Sequence, residues 1–131
     1  MILMEKTKKI KLAVADDAPF IREIVKQIFS SNDRVEWVGE AQNGEEVVSM
    51  TRQLTPDVIL MDVVMPKKNG IQATKEILEE YPNIKIIAFS TLDQEDMILK
   101  ALEAGCCSYL VKPFDGKEVI NAVIKSVAGE I

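Results

Sequence analysis

Acidic side chains, a hydroxyl and a lysine follow short apolar segments of this sequence, where strands of a parallel sheet would end. Asp16 and Asp17 follow the first segment, Asp62 comes at the end of the third, Ser90 follows the fourth and Lys112 follows the fifth. The carboxyl ends of parallel strands meet at one edge of a sheet, so we expect these side chains to lie together. Two carboxylates about 5 Å apart repel by roughly 3 kcal/mol at an effective dielectric of 20, which favours a cation among them. Carboxylate oxygens with room for water suit Mg²⁺.

A metal-bound carboxylate beside a lysine can attack a phosphorus atom, because both cations offset the charge that builds on the transferring oxygens. The product would be an acyl phosphate on Asp62, which adds a charge of about -1.5 to -2. The hydroxyl of Ser90 or Thr91 could then be drawn toward the new acceptor oxygens, and that movement would begin a conformational switch.

The residue types that are missing narrow the chemistry further. The sequence has no histidine, which excludes Ser-His-Asp and Cys-His catalysis and a histidine phosphoacceptor within this chain. The two cysteines, Cys106 and Cys107, are adjacent. A disulfide between neighbours is strained, and two thiols without histidine do not make a zinc site, so we expect two small buried thiols.

Five apolar segments rich in Val, Ile, Leu and aromatic residues predict strands. They are IKLAVA (10–15), VEWVGEA (35–41), DVILM (57–61), IKIIAF (84–89) and SYLV (108–111). Stretches with helical spacing lie between them, and strand–helix alternation repeated five times predicts an α/β fold, in which a five-stranded parallel sheet is covered by helices on both faces. Trp37 is expected to pack on the second strand, at the sheet edge, without a function.

Local signals mark the faces and the ends of the helices. Apolar residues recur at helical spacing in the first and fourth helices, at Ile21, Ile24, Val25 and Ile28 and at Ile98, Ala101 and Leu102. Asn43, Asp93 and Asp115 stand where N-caps are expected.

Length and charge bound the remaining possibilities. The 131 residues fit one domain of ordinary size. We predict that residues 1–8 form an N-terminal extension and that the domain spans residues 9–131. The net charge of -5 argues against a free-standing nucleic-acid binder. The start, MILMEKTKK, has apolar residues before its lysines, the wrong order for a secretory signal, and no apolar run reaches about 18 residues. We therefore expect a cytoplasmic protein without a membrane contact.

Four segments in order resemble the response-regulator receiver domain family of two-component signalling, with its CheY-like members. These are LAVADDAPF, PDVILMDVVMPKKNG, IIAFST and AGCCSYLVKPF, and the second fits the family pattern D-x-x-M-P-x-x-[DN]-G. The resemblance spans about residues 9–128. It implies a doubly wound, flavodoxin-like (βα)5 sheet with the strand order 2-1-3-4-5.

The resemblance also implies a role for each acidic residue. Asp62 would accept a phosphoryl group from a sensor histidine kinase or a phosphotransfer protein. The side chains of Asp17 and Asp62 and the backbone carbonyl of Val64 would bind Mg²⁺, and Asp16 would help through water. The protein would be a phosphoacceptor in signalling and not an enzyme with a separate substrate.

Further roles follow from the same resemblance. Lys112 would contact the phosphoryl group, Ser90 would hydrogen-bond it, and Tyr109 would turn inward as Ser90 moves. The Lys112–Pro113 peptide bond would be cis. Output would go to a protein partner, not directly to nucleic acid, through the surface of the fourth helix, fifth strand and fifth helix, where Ile98 is either exposed or packed inward.

Two positions depart from many relatives. Val64 and Leu92 flank the route of an attacking water in this family, and neither side chain can orient a water. We therefore expect slow self-dephosphorylation. Thr91 stands where many relatives have a smaller alanine, which would narrow access for small phosphodonors.

Alternative functions remain open at this point. A phosphohydrolase with an aspartyl nucleophile usually carries D-x-D on its first strand, whereas these acids are adjacent. A flavodoxin-like nucleotide binder needs a Gly/Ser/Thr-rich loop there, and DDAP would repel phosphate. Within the receiver interpretation, the chain is expected to be a stand-alone chemotaxis or phosphorelay regulator, with a domain of a longer regulator as the alternative.

Overall fold

Five strands and five helices alternate along the chain in a computed structural model that describes residues 8–129. The strands are β1 (Ile10–Ala15), β2 (Val35–Ala41), β3 (Val58–Asp62), β4 (Lys85–Ser90) and β5 (Ser108–Val111). The helices are α1 (Pro19–Phe29), α2 (Gly44–Leu54), α3 (Gly70–Glu80), α4 (Glu95–Ala104) and α5 (Gly116–Ala128). Of the predicted N-terminal extension, all but Lys8 lies outside the described residues.

The strands form one parallel sheet in the order β2-β1-β3-β4-β5, which confirms the predicted fold class and strand order. Two apolar cores flank the sheet. One core contains Val47 of α2, Ile77 of α3 and Ala101 of α4. The other contains Val25 of α1 and Val123 of α5. The sheet is therefore covered on both faces, and its carboxyl edge carries the loops that lead into the helices.

Position in the sheet explains the composition of the strands. β3 is buried along its whole length, so its sequence VILMD is nearly continuous in apolar residues, as expected for a strand covered on both faces. β2 is an edge strand that is buried only at its two ends, Val35 and Ala41, and Trp37 on it is partly buried against the core beside α1 and α5. The edge position predicted for the second strand is confirmed.

Several boundaries differ from the sequence prediction. The third and fourth strands lie one residue later than expected, so Asp62 and Ser90 are the last residues of their strands. α4 is capped by Gln94 and not by Asp93, whereas Asn43 and Asp115 are N-caps as predicted. The Met97 and Ile98 N–H groups both donate to the Gln94 carbonyl, so the helix begins one residue later than predicted, after a residue whose side chain makes no capping hydrogen bond.

The helical faces are narrower than the apolar spacing indicates. Ile24 and Leu102 are exposed, although both continue the predicted apolar patterns. On α1 the buried positions are Val25 and Phe29, and Ile98 on α4 is partly buried. Helices on an open sheet bury a stripe only, so apolar residues at its margin remain in contact with solvent.

The two cysteines are both free and lie on opposite sides of the sheet. Cys106 is buried in the core beside α2, α3 and α4, with its thiol 3.8 Å from the Thr74 hydroxyl. Cys107 is only partly buried and packs against the other core, so the expectation of two buried thiols holds fully for Cys106 alone. Within residues 8–129, no helix combines the length and the apolar character needed to cross a membrane.

Candidate functional site

Asp16, just beyond β1, is held by backbone and side-chain contacts at the carboxyl edge. Its N–H donates to the Ala41 carbonyl at 3.0 Å, which keeps it in line with the end of β2. One carboxylate oxygen accepts from the Ala18 N–H at 2.8 Å, and the other accepts from the Lys112 ammonium at 2.6 Å. The residue is only 1% exposed, so its charge depends on these partners.

Asp62 ends the central strand β3, and the first turn of α3 packs directly on its backbone. The Gly70 N–H donates to the Val63 carbonyl at 2.9 Å. A Cβ on Gly70 would lie 2.0 Å from the Asp62 carbonyl oxygen, closer than any real contact. Gly70, the last residue of the pattern D-x-x-M-P-x-x-[DN]-G, is therefore required by this close approach. Asn69 and Gln72 begin α3 with a reciprocal capping box.

The three carboxylates meet as the sequence predicts. Oxygens of Asp16, Asp17 and Asp62 all lie within 4.8 Å of one another, and Asp17 is the exposed member. Burial raises the pKa of Asp62 to about 6, Asp16 adds to the rise, and Lys112 opposes it. Such a set of oxygen ligands, destabilised by mutual repulsion, fits a hard divalent cation, which would remove both the repulsion and the cost of burial.

Lys112 reaches the site from the end of β5. Its backbone N–H donates to the Ser90 carbonyl at 2.8 Å, and its peptide bond to Pro113 is cis, as the family resemblance implies. The ammonium lies 3.7 Å from a carboxylate oxygen of Asp62, farther than from Asp16. It also lies 4.6 Å from the centre of the Phe89 ring, which helps to hold it over the edge of the sheet.

Ser90 and Tyr109 are joined through the backbone of Leu92. The Leu92 N–H donates to the Ser90 hydroxyl at 3.1 Å, and the Tyr109 hydroxyl donates to the Leu92 carbonyl at 2.7 Å. Burial raises the pKa of Tyr109, while its contact with Ser90 opposes the rise. A displacement of Ser90 would therefore disturb the loop that anchors Tyr109.

The residues that follow Asp62 and Ser90 in the sequence differ in their exposure to solvent. Val64 is 57% exposed, and its N–H donates to a carboxylate oxygen of Asp62 at 3.4 Å. The ligand role of its backbone carbonyl stays a prediction. Leu92 is partly buried and Thr91 is exposed. The exposed Val64 side chain beside Asp62 offers no group that could orient a water.

Some residues at the site were not foreseen from the sequence. Arg22 of α1 donates to the Asp16 carbonyl at 2.6 Å and to a Glu40 carboxylate oxygen at 2.7 Å. No local signal identifies this contact, because it joins side chains 18 residues apart. The capping box at Asn69 does have a local signal, an Asn followed three residues later by Gln.

A family model described as the response regulator receiver domain matches residues 12–124. The chemotaxis protein CheY of Thermotoga maritima is 41% identical over 88% of this chain and 95% of that protein. A CheY in the CheX-CheY-BeF3-Mg+2 complex of Borrelia burgdorferi has a TM-score of 0.85 and 28% identity, over 92% of this chain and 90% of that one.

Longer proteins are also similar. The uncharacterized transcriptional regulatory protein YxjL of Bacillus subtilis is 38% identical over 93% of this chain. The match covers 56% of that protein, so the chain spans about half the length of this relative.

Proposed function

Since the chain belongs to the response regulator receiver domain family of two-component systems, we propose that Asp62 accepts a phosphoryl group from a sensor histidine kinase or a phosphotransfer protein. The observation that carries this proposal is the position of the Asp62 carboxylate. It is buried at the end of the central strand, beside the ammonium of Lys112 and within 4.8 Å of oxygens from Asp16 and Asp17.

The residues that would hold Mg²⁺ are the side chains of Asp17 and Asp62 and the backbone carbonyl of Val64, with Asp16 helping through water. Support comes from the carboxylate cluster and from the Borrelia burgdorferi CheX-CheY-BeF3-Mg+2 complex, which contains Mg²⁺. When bound, the ion would neutralise charge on the transferring phosphoryl oxygens.

The residues of the chain have separate tasks in the transfer. A carboxylate oxygen of Asp62 forms the new bond to phosphorus as the bond from phosphorus to the donor atom breaks, and the donor leaves with that electron pair. With a pKa of about 6, the Asp62 carboxyl is mostly ionised at pH 7 and able to attack. Lys112 then interacts with the charge on the transferred oxygens, since its ammonium already lies beside both Asp16 and Asp62.

The phosphorylated form would act through the surface of α4, β5 and α5. Ser90 would turn toward the phosphoryl oxygens and give up its hydrogen bond from the Leu92 N–H, and Tyr109 would follow because its hydroxyl is bonded to the Leu92 carbonyl. Leu99 and Leu102 of α4 and Val111 of β5 are exposed on these elements, which supports a protein partner there.

We propose that the protein has a signalling role and that its own phosphorylation and dephosphorylation are the only reactions it carries out. A stand-alone chemotaxis or phosphorelay regulator is favoured by the CheY of Thermotoga maritima, which the match covers almost completely. The predicted absence of direct nucleic-acid contact stays a prediction, because a transcriptional regulatory protein is among the relatives. The cytoplasmic location expected from the sequence is part of the same proposal.

Intact-mass measurement tests the proposal directly. The protein is mixed with Mg²⁺ and a small phosphodonor such as acetyl phosphate, and we expect a gain of one phosphoryl group. The gain should be lost in Asp62→Asn and in excess chelator. A wild-type protein that gains no mass, or an Asp62→Asn variant that still does, would overturn it. Repeated turnover of a simple phosphate ester would instead indicate a phosphohydrolase.

A further inference from the structure

Arg22 connects three parts of the molecule at the edge of the acidic cluster. It lies on α1, its Nη1 donates to the backbone carbonyl of Asp16 at 2.6 Å, and its Nε donates to Glu40 of β2 at 2.7 Å. The side chain is only 15% exposed, whereas that of Glu40 is 41% exposed. The Arg22 side chain is therefore largely enclosed, whereas its carboxylate partner is open to solvent.

The contact with the Asp16 carbonyl completes the restraint of that residue. The N–H of Asp16 is bonded to Ala41, and its two carboxylate oxygens accept from Ala18 and Lys112. Without Arg22, the carbonyl that begins the loop to α1 would lose its charged donor. The peptide that joins Asp16 to Asp17 could then rotate, and the direction of the Asp17 carboxylate would change with it.

The geometry points to Arg22 as a positioning residue: by holding the Asp16 carbonyl, it directs the Asp16–Asp17 pair toward the cation that the cluster would bind. This inference rests on the proposed function, because it concerns Mg²⁺ at the same site. A planar guanidinium can donate in two directions at once without rearrangement, which an ammonium does less well. Supporting residues of this kind typically change metal affinity by about 10- to 100-fold when removed.

The sign of the effect separates positioning from simple electrostatics. A cation near three carboxylates repels a second cation, so removal of the Arg22 charge would by itself strengthen Mg²⁺ binding. Loss of positioning would weaken it. A role confined to fold stability would lower the melting temperature and leave the affinity of the folded protein unchanged.

Arg52 provides a matched control on the same molecule. It bridges α2 and α3, with its Nε 3.0 Å from Glu80 and its Nη2 3.6 Å from Glu76. It thus joins two elements through two carboxylates, as Arg22 joins α1 to a loop and a strand. Neither partner of Arg52 belongs to the acidic cluster.

The experiment measures the Mg²⁺ dissociation constant of the full chain by calorimetry, together with the melting temperature, for Arg22→Met, Arg22→Lys and Arg52→Met. We expect the constant to rise about tenfold in Arg22→Met and less in Arg22→Lys. Arg52→Met should keep the wild-type constant and lose less thermal stability, because the Arg52 side chain is 50% exposed. Saturating Mg²⁺ should restore most of the phosphorylation rate of Arg22→Met.

The outcomes separate this inference from the proposed function. If wild-type protein binds Mg²⁺ and both Arg22 variants bind within twofold of it, or more tightly, the positioning role is wrong and the proposed function stands. If Arg22→Met does not fold, Arg22→Lys decides the matter, because it keeps the charge. If the wild-type protein does not bind Mg²⁺ at all, both proposals fail.

Discussion

Two aspartates at opposite ends of β3 occupy contrasting environments. Asp57 directly precedes the strand and is exposed, and one of its carboxylate oxygens accepts from the Lys11 N–H at 2.8 Å. Its own N–H donates to the Lys11 carbonyl, and its carbonyl accepts from the Lys85 N–H, so it ties together β1, β3 and β4. Asp62 ends the strand, is buried, and lies among carboxylates.

The difference shows how one residue type serves two purposes. At the amino end the charge is solvated and bonded, which stabilises the sheet. At the carboxyl end the charge is desolvated and repelled by Asp16, which raises the pKa of Asp62 to about 6 and costs stability. A protein tolerates such a cost where the strained group reacts or binds a ligand, and the same substitution at both ends can therefore test the contrast.

The largest expected difference is in phosphorylation itself. Asp62→Asn should abolish phosphoryl incorporation, because an amide oxygen is a poor nucleophile and forms no acyl phosphate. Asp57→Asn, the same change at the other end of β3, should incorporate one phosphoryl group at a rate within about twofold of wild type. The measurement is intact mass over time with Mg²⁺ and acetyl phosphate. Equal loss of phosphoryl incorporation in both variants would contradict the idea that only the aspartate at the carboxyl end of β3 reacts.

The close packing at the carboxyl end predicts the next effect. Gly70→Ala should lower the free energy of unfolding by about 3 kcal/mol, because the new Cβ would lie 2.0 Å from the Asp62 carbonyl oxygen. Urea unfolding measures this. Gly116→Ala is the control, since Gly116 also begins a helix but its Cβ would lie 3.6 Å from Ile28. We expect no loss there, and comparable losses at both glycines would argue against the packing explanation.

The same two substitutions should have smaller effects on stability, and they should change the free energy of unfolding in opposite directions. Without Mg²⁺ at pH 7.5, Asp62→Asn should raise the free energy of unfolding by about 1 kcal/mol, allowing for screening by solvent. Asp57→Asn should lower it by about 1 kcal/mol, since the bond from Lys11 loses its charged acceptor.

The pH dependence of the stability difference between Asp62→Asn and wild type tests whether the Asp62 charge is the cause. The folded-state pKa of Asp62 is raised from 3.8 to about 6, so the folded protein binds the proton more tightly than the unfolded chain does. The loss of folding stability caused by the buried Asp62 charge is therefore complete above about pH 6, and it fades as the pH falls toward 4. The advantage of Asp62→Asn over wild type should shrink over that window, and an advantage that grows there would contradict the assignment.

The smallest effect concerns the lifetime of the phosphorylated form. Val64→Asn should shorten it about threefold, because an amide beside Asp62 can orient an attacking water where valine does not. Decay of the phosphorylated protein after removal of the phosphodonor measures this. Val127→Asn on α5 is the control for a polar change at an exposed valine. A native lifetime that is already short would remove the reason for the effect.

Much of the architecture followed from local patterns in the sequence. The alternation of apolar segments with helical spacing predicted all five strands and the helices between them. The parallel arrangement brought the residues at the carboxyl ends of β1, β3, β4 and β5 to one edge of the sheet. Asp16, Asp17, Asp62 and Lys112 were therefore predictable as a group. The family pattern added roles for Val64, Ser90 and Tyr109, which stay predictions.

Contacts between distant parts of the chain were decided by the tertiary structure alone. Lys112 lies closer to Asp16 than to Asp62, a preference between residues 96 and 50 positions away that depends on the relative placement of three strands. The bridge from Arg22 to Glu40 and the Asp16 carbonyl depends on how α1 lies over the end of β2. Sequence spacing determines which residues share an edge, because strands and helices have fixed periods. Which partner a long side chain takes at that edge depends on packing across the whole fold.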